Sequence, residues 1–284
     1  MDQLIKLIAN QDWLRFGIRD RIVRAYCNPD TVASTEFESD FFGLTYKGNL
    51  NSFLDWSVFF YGAYEKEYLF FLKDLLTRVQ DPVFFDIGAN IGHHSLFMSQ
   101  HCKQVHAFEP NPVARTKLHE KVDLNSATNV FIHDVGLAER EDVLQFFLPT
   151  GANQGTGSFV AGHSSNNKAG PVLKVVKADD FVEKLDVVKI DLIKIDVEGF
   201  EKNVLLGLRN TLNRHRPKIA VEFSRTTMAS FAGRKELMGL LPAGYTVQRI
   251  VYNEPRGLMF NAAQCRLVDF DFDWPECDLL LAPA

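Results

Sequence analysis

Two acidic residues of this sequence end short apolar runs and stand beside sharp turns. Asp86 lies just before Gly88 and Gly92. Glu109 ends a second apolar run about 20 residues later, which is the spacing of a ribose-binding acid. A turn that binds pyrophosphate directs backbone N–H groups at the anion, and a carboxylate beside that turn opposes the binding. The pattern therefore favours a nucleoside that is not held through phosphate groups.

A positively charged nucleoside such as S-adenosylmethionine could form hydrogen bonds with both acids. We expect Gly88 and Gly92 to let the backbone approach the ligand closely, because glycine has no Cβ. Asp86 is expected to hydrogen-bond the ligand's ammonium group, directly or through water. Glu109 offers two oxygens to the two ribose hydroxyls. The alternatives are an ordinary strand-to-helix turn for the glycines and a surface acid for Glu109.

Four further residues are predicted to contact the cofactor. Asp134 follows the apolar run 130–132 and is expected to accept a hydrogen bond from the adenine amino group. Val135 or Pro110 is expected to pack against the adenine ring. Asn90 is expected to line the same pocket. For Asp134, a helix cap or a solvated acid is the alternative.

A third apolar run places acids on the acceptor side of the predicted site. Asp196 and Glu198 follow that run, and we expect Asp196 to take a proton from a hydroxyl acceptor as general base. Glu198 is expected to orient the acceptor or bind the cofactor amine, and Glu222 to complete the rim. Asp196 and Glu198 also suit magnesium, but no third ligand is evident, so no metal is predicted. His93 or His94 is a second candidate base, with helix-surface histidines as the alternative.

Composition narrows the class of protein. The 284 residues are 46% hydrophobic, enough for one α/β core with a cap or insertion. A net charge of -5 gives no overall attraction for nucleic acid, which is not an expected partner. The four cysteines form no C-x-x-C pair. No apolar stretch approaches the ~20 residues of a membrane span, so a cytoplasmic location is predicted. A homo-oligomer is compatible with the sequence.

The order of patterns predicts the architecture. Residues 1–80 are expected to form a helical N-terminal cap with short extended pieces over 37–60, and residues 81–284 the catalytic domain. Alternating strands and helices indicate a doubly wound, mostly parallel α/β sheet. The last two strands lack a helix between them, so the final strand is expected to pair antiparallel at one edge. A hairpin insertion with a mobile loop is predicted at about 143–178.

Three segments, in this order and spacing, resemble the FkbM-type methyltransferases: Asp86–Gly92, Ala107–Pro110 and Leu192–Gly199. Further matches occur at Tyr61–Glu65, Ala178–Asp180 and Val221–Phe223. The resemblance covers roughly residues 60–250. It implies a Rossmann-like class I fold, S-adenosylmethionine as cofactor, and methylation of a hydroxyl oxygen on a sugar, glycan or other small metabolite.

The same resemblance implies that Tyr61 and Glu65 close over the cofactor. An ordinary helix acid is the alternative for Glu65. Residues 1–58 and 252–284 carry no motif of the family. The acceptor's identity is left open by the sequence.

Three other functions compete with this prediction. A nicotinamide-dependent dehydrogenase would require the spacing G-x-G-x-x-G, which the turn at Gly88 and Gly92 lacks. An RNA ribose methyltransferase would use Lys194, Asp196 and Glu222, and would need a basic face beside the pocket. A non-catalytic nucleoside-binding module keeps the pocket without turnover.

Overall fold

A computed structural model describes residues 2–11, 14–149, 157–163, 167–252, 255–256, 260–261, 265–272 and 276–284. The helices of this part are α1 (Asp2–Ala9), α2 (Phe16–Tyr26), α3 (Phe53–Tyr61), α4 (Lys66–Leu75), α5 (His93–Ser99), α6 (Pro112–Leu124), α7 (Ala178–Val182), α8 (Glu201–Gly207), α9 (Arg209–His215), α10 (Arg225–Ser230) and α11 (Arg234–Leu240). Its strands are β1 (Glu36–Phe41), β2 (Leu44–Asn49), β3 (Val83–Ile87), β4 (Gln104–Phe108), β5 (Val130–His133), β6 (Gly136–Ala138), β7 (Asp142–Pro149), β8 (Asn167–Lys177), β9 (Leu192–Ile195), β10 (Lys218–Phe223), β11 (Tyr245–Val251), β12 (Pro255–Arg256), β13 (Phe260–Asn261), β14 (Arg266–Asp269) and β15 (Cys277–Pro283).

The central sheet has eight strands in the order β14, β11, β15, β10, β9, β3, β4, β5. Strands β10, β9, β3, β4 and β5 are mutually parallel. Every residue of β3 and of β9 is buried, as expected of strands covered by helices on both faces. The doubly wound, mostly parallel α/β sheet is therefore confirmed.

The final strand does not lie at the edge, and that part of the prediction was wrong. β15 is antiparallel to both of its neighbours, β10 and β11, and lies between them. Its central residues Leu279, Leu280 and Leu281 are buried, so this apolar strand gains more from an interior position than from an edge. The antiparallel edge strand is β14, whose side chains are mostly exposed.

The N-terminal segment combines helices with one β-hairpin. β1 and β2 pair antiparallel, as the predicted extended pieces require. Phe53–Tyr61 is a helix instead, and it ends at Gly62 in the left-handed conformation (φ 81°). Buried side chains of α4, such as Leu69 and Leu72, share a hydrophobic core with Phe84 of the sheet. The N-terminal helices thus pack directly against the domain that holds the site.

The predicted insertion is a hairpin in the structure. β7 and β8 pair antiparallel, and β6 pairs parallel with β8. Most of the loop predicted to be mobile, residues 150–156 and 164–166, lies outside the described residues. The helix predicted over 200–213 divides at Leu208 into α8 and α9. Within the described residues, no helix is both long and apolar enough to cross a membrane.

Candidate active site

A cavity of about 480 Å³ opens at the carboxyl ends of β3, β4, β9 and β10. This is the edge at which an open α/β sheet binds ligands. The glycine turn after β3 and the acid after β4 line one part of its wall. Acids of β9, β10 and β15, together with aromatic residues of the N-terminal segment and the inserted hairpin, line the rest.

Two positions of the turn after β3 require glycine, because their backbone is left-handed and leaves no room for a Cβ. Gly88 (φ 80°) lines the cavity, and a Cβ there would overlap the carbonyl oxygen of Asp196. Gly92 (φ 84°) does not line the cavity, because its Cα faces Leu118, whose side chain a Cβ would overlap. The requirement for glycine at Gly92 therefore comes from helix packing. Asn90 does line the cavity, and its Oδ1 is buried without a hydrogen-bond partner.

Glu109 lines the cavity with a carboxylate held by backbone donors. Its Oε1 accepts from the Asn111 N–H and its Oε2 from the Asn90 N–H, both at 2.8 Å. The side chain is only 6% exposed, and burial raises its pKa to about 7. Pro110 follows it in the cavity wall, as predicted.

Asp86 is not in the cavity wall, contrary to the expected contact with a ligand's ammonium group. It is fully buried, accepts a hydrogen bond from Ser95 Oγ at 2.6 Å, and lies 3.4 Å from Lys194 Nζ. The cause is strand register: Asp86 and Lys194 are direct partners on the parallel strands β3 and β9. Of the two acids beside the turn, only Glu109 reaches the cavity.

Lys194 is a buried cation that holds Asp86 and Asp196 together at the base of the cavity, referred to below as the floor of the site. Its side chain is 2% exposed, and its ammonium group lies 3.2 Å from Asp196 Oδ2 and 3.4 Å from Asp86 Oδ1. Burial lowers the pKa of Lys194, but the two carboxylates outweigh burial and raise it above its ordinary value. Its sequence signal was a lone lysine within a run of buried apolar residues, which requires a buried partner.

Asp196 and Glu222 form a carboxyl pair that shares one proton. The nearby Asp196, together with burial, raises the pKa of Glu222 to about 11. Burial acts to raise the pKa of Asp196, but Lys194 and the hydrogen bond from Glu222 lower it. At neutral pH the protonated Glu222 therefore donates to an ionised Asp196.

Carboxylate oxygens of Asp196, Glu198 and Glu222 all lie within 4.8 Å of one another. Glu222, which the sequence placed at the rim, is thus the third carboxylate beside Asp196 and Glu198. Three such oxygens can accept hydrogen bonds from hydroxyl groups, and they can also coordinate a hard divalent cation.

Glu198 fastens the inserted hairpin to the end of β9. Its Oε2 accepts from His163 Nε2 at 2.6 Å, and its carbonyl oxygen accepts from Ser158 Oγ at 2.6 Å. The hydrogen bond to Glu198 raises the pKa of His163. The buried Glu201 holds the preceding turn, because its Oε1 accepts from the N–H groups of Val197 and Gly199. Sequence reasoning missed all three residues. Ser158 and His163 lie 40 and 35 residues from Glu198 along the chain, and Glu201 supports an irregular turn.

The remaining predicted residues divide between the cavity and other places. Glu65 lines the cavity and lies 3.6 Å from His94 Nε2. His93 and His94 also line it, and both are buried, so the helix-surface alternative was wrong. Asp134 is exposed and outside the cavity wall.

Val135 lies in the hydrophobic core beneath the sheet and not in the cavity wall. Tyr61 is likewise in a core, packed with the N-terminal helices, with its hydroxyl donating to Asp20 at 3.2 Å. The structure therefore brings neither of them to the position expected for a cofactor contact.

Comparison with known proteins gives one family match and several relatives. Residues 86–246 match the model of the methyltransferase FkbM domain. Hexuronic acid methyltransferase AglP of Haloferax volcanii is 33% identical over 133 residues, which are 47% of this chain and 52% of AglP. The 2-O-methyltransferase NoeI of Sinorhizobium fredii is 27% identical over 200 residues, which are 64% of this chain and 79% of NoeI.

A solved structure, methyltransferase FkbM from Methylobacillus flagellatus KT, aligns with a TM-score of 0.44 and 20% identity. The alignment covers 72% of this chain and 45% of that one. The matched part of this chain thus spans about half the length of AglP and less than half of the solved chain.

Proposed function

Because this chain belongs to the FkbM methyltransferase family, we propose that it transfers a methyl group from S-adenosylmethionine to a hydroxyl of a sugar or other small hydroxylated molecule. The observation that carries the proposal is the arrangement of acids around one cavity. Glu109 lies beside the glycine turn, and the carboxyl pair of Asp196 and Glu222 lies at the ends of the neighbouring strands. A polyhydroxylated nucleoside and a hydroxyl acceptor require this set of hydrogen-bond acceptors.

The residues at the glycine turn fit the nucleoside. Each oxygen of Glu109 accepts one backbone N–H and keeps capacity for one ribose hydroxyl. The buried Oδ1 of Asn90 lacks a donor, and a ligand N–H or O–H would supply it. Gly88 brings the backbone to the cavity surface without a side chain. S-adenosylmethionine, when bound, supplies a methyl carbon activated by a positively charged sulfur.

Asp196 is the general base of the proposed reaction. Its carboxylate would take the proton of the acceptor hydroxyl, whose oxygen would receive the methyl group that S-adenosylmethionine supplies, with S-adenosylhomocysteine left as the other product. Lys194 keeps Asp196 ionised and fixes its position, and Glu222 donates to it. A carboxylate whose pKa is lowered is a weak base, so we assign most of the rate to the positioning of the acceptor oxygen.

The names of two relatives support a hydroxyl acceptor, and one of them refers to a carbohydrate. One is named as a hexuronic acid methyltransferase and another as a 2-O-methyltransferase. The cavity wall combines carboxylates, which accept from hydroxyl groups, with aromatic side chains.

Transfer of a labelled methyl group from S-adenosylmethionine to a panel of glycosides and small polyols tests the proposal. Wild type should label at least one hydroxylated acceptor. Asp196→Asn should lower kcat by about 10²–10⁴-fold with little change in S-adenosylhomocysteine affinity. Asp123→Asn, an exposed acid on α6, serves as the matched control and should label at the wild-type rate. An Asp196→Asn rate equal to that of the control would remove the assignment of the base.

A further inference from the structure

We infer that Phe159 of the inserted hairpin is the surface against which the acceptor packs, and that the acceptor is a neutral hydroxylated ring. The inference rests on the proposed function and specifies its acceptor. It concerns the wall formed by the hairpin, which the family motifs do not include.

Phe159 is a pre-positioned ring in the cavity wall. It lines the cavity and is half-buried. Phe146 packs edge-on against it with ring centroids 5.1 Å apart, and Phe200 packs at 5.3 Å. Behind it, a Cβ on Gly136 would come within 3.3 Å of Phe159 Cε2. Because three neighbours fix the ring, a ligand that packs on it pays little ordering entropy.

The chemistry of an aromatic face selects a ring with C–H groups on its own face. The π-system is negative above and below the ring plane, so it attracts weakly positive C–H groups and repels anions. A sugar ring presents C–H groups on a face and hydroxyls around its edge. The carboxyl oxygens of Asp196, Glu198 and Glu222 lie within 4.8 Å of one another and are suited to those edge hydroxyls.

Glu198 links the aromatic surface to the acids. Ser158, the residue before Phe159, donates to the Glu198 carbonyl oxygen, and His163 donates to its carboxylate. The hairpin wall and the acids at the end of β9 are therefore held at a fixed separation. A ring placed on Phe159 would therefore share the cavity with these acids.

The pairing of the charges on this side of the cavity favours a neutral acceptor over an anionic one. Lys194 Nζ is engaged by Asp86 and Asp196. Lys117 also lines the cavity, from α6, whose Leu118 belongs to a different core cluster from Val176 of the hairpin. A carboxylate on a ring at Phe159 would thus face the ionised Asp196, while the nearby cations Lys194 and His163 are each already engaged by a carboxylate.

Saturation-transfer NMR and competition titration, with and without S-adenosylhomocysteine, measure the affinity of neutral methyl hexosides and of methyl hexuronosides. We expect wild type to bind at least one neutral hexoside at least tenfold more tightly than its uronate counterpart. Phe159→Ala should weaken that affinity about tenfold, which corresponds to ~1.4 kcal/mol. S-adenosylhomocysteine affinity should not change. Val172→Ala, at an exposed position of β8 in the same hairpin, is the control and should match wild type.

Phe159→Leu distinguishes the contribution of the aromatic face to affinity from that of apolar volume alone. It fills much of the same space but has no π-face, so it should lose most of the affinity while thermal denaturation shows a folded protein. Equal affinities of Phe159→Ala, Val172→Ala and wild type would overturn the inference, as would tighter binding of uronates or a lack of binding by every ring. Failure to bind S-adenosylhomocysteine or to transfer methyl would instead count against the proposed function.

Discussion

Replacing Lys194 with methionine removes the buried cation between Asp86 and Asp196 and keeps an unbranched side chain of similar length. In the wild type the ammonium group lies 3.4 Å from Asp86 and 3.2 Å from Asp196. The substitution leaves two carboxylates without their cation, one of them fully buried. Lys194→Met therefore tests whether this cation holds the floor of the site together.

The expected cost follows from the burial of the ion pair. Breaking a buried pair by removing one partner costs about 3–5 kcal/mol, because an uncompensated charge remains. For a chain of this size the loss corresponds to roughly 10 °C in Tm. In the wild type the pKa of Asp196 is lowered, so its contribution to stability is present above its unfolded pKa and is lost as pH falls through the folded pKa. Without Lys194 that pKa rises, so the stability difference between variant and wild type should shrink from pH 7.5 to pH 5.

Urea denaturation of wild type and variant at the two pH values measures this difference. Lys189→Met is the matched control, because Lys189 Nζ lies 2.9 Å from Asp191 but its side chain is 64% exposed. The control should lose less than about 1 kcal/mol at either pH. A Lys194→Met variant as stable as the control, or one equally destabilised at pH 5 and pH 7.5, would refute the reasoning.

Two further predictions concern the wall of the cavity. Burial raises the pKa of Glu109 to about 7, and ribose hydroxyls donate to the ionised form. The affinity for S-adenosylhomocysteine should therefore rise about tenfold from pH 6 to pH 8; calorimetry should show the rise in wild type and not in Glu109→Gln, and a flat wild-type profile would contradict it. Gly88→Ala should destabilise the fold by more than about 2 kcal/mol, since its φ is 80° and its Cβ would overlap the Asp196 carbonyl oxygen. Gly239→Ala, on a helix with open space around it, should be neutral or stabilising in the same denaturation assay, and equal effects would exclude the steric argument.

The sheet and the acids that follow its parallel strands were predictable because their signals are local. A run of buried apolar residues identifies a parallel strand, and the carboxyl ends of such strands meet at one edge. The positions of Glu109, Asp196 and Glu222 follow from this rule without knowledge of tertiary contacts. Gly88, Asn90 and Pro110 reach the cavity because they directly follow those strands.

The other residues depend on information that is not local. Asp86 turns away from the cavity because strand register pairs it with Lys194, and register across β3 and β9 is not readable from either strand alone. The position of β15 between β10 and β11 depends on competition among several strands for the core. His163 reaches Glu198 across 35 residues of chain, through a hairpin whose register has an irregularity near Gln145.

Calorimetric titration of the wild-type protein with S-adenosylhomocysteine and, separately, with NADH tests most directly whether the cavity receives a sulfur nucleoside. We predict saturable one-to-one binding of S-adenosylhomocysteine, no binding of NADH, and at least about tenfold weaker binding by Glu109→Ala, which removes the acceptor for both ribose hydroxyls. Tight binding of NADH without binding of S-adenosylhomocysteine, or full affinity in Glu109→Ala, would contradict the assignment of this cavity.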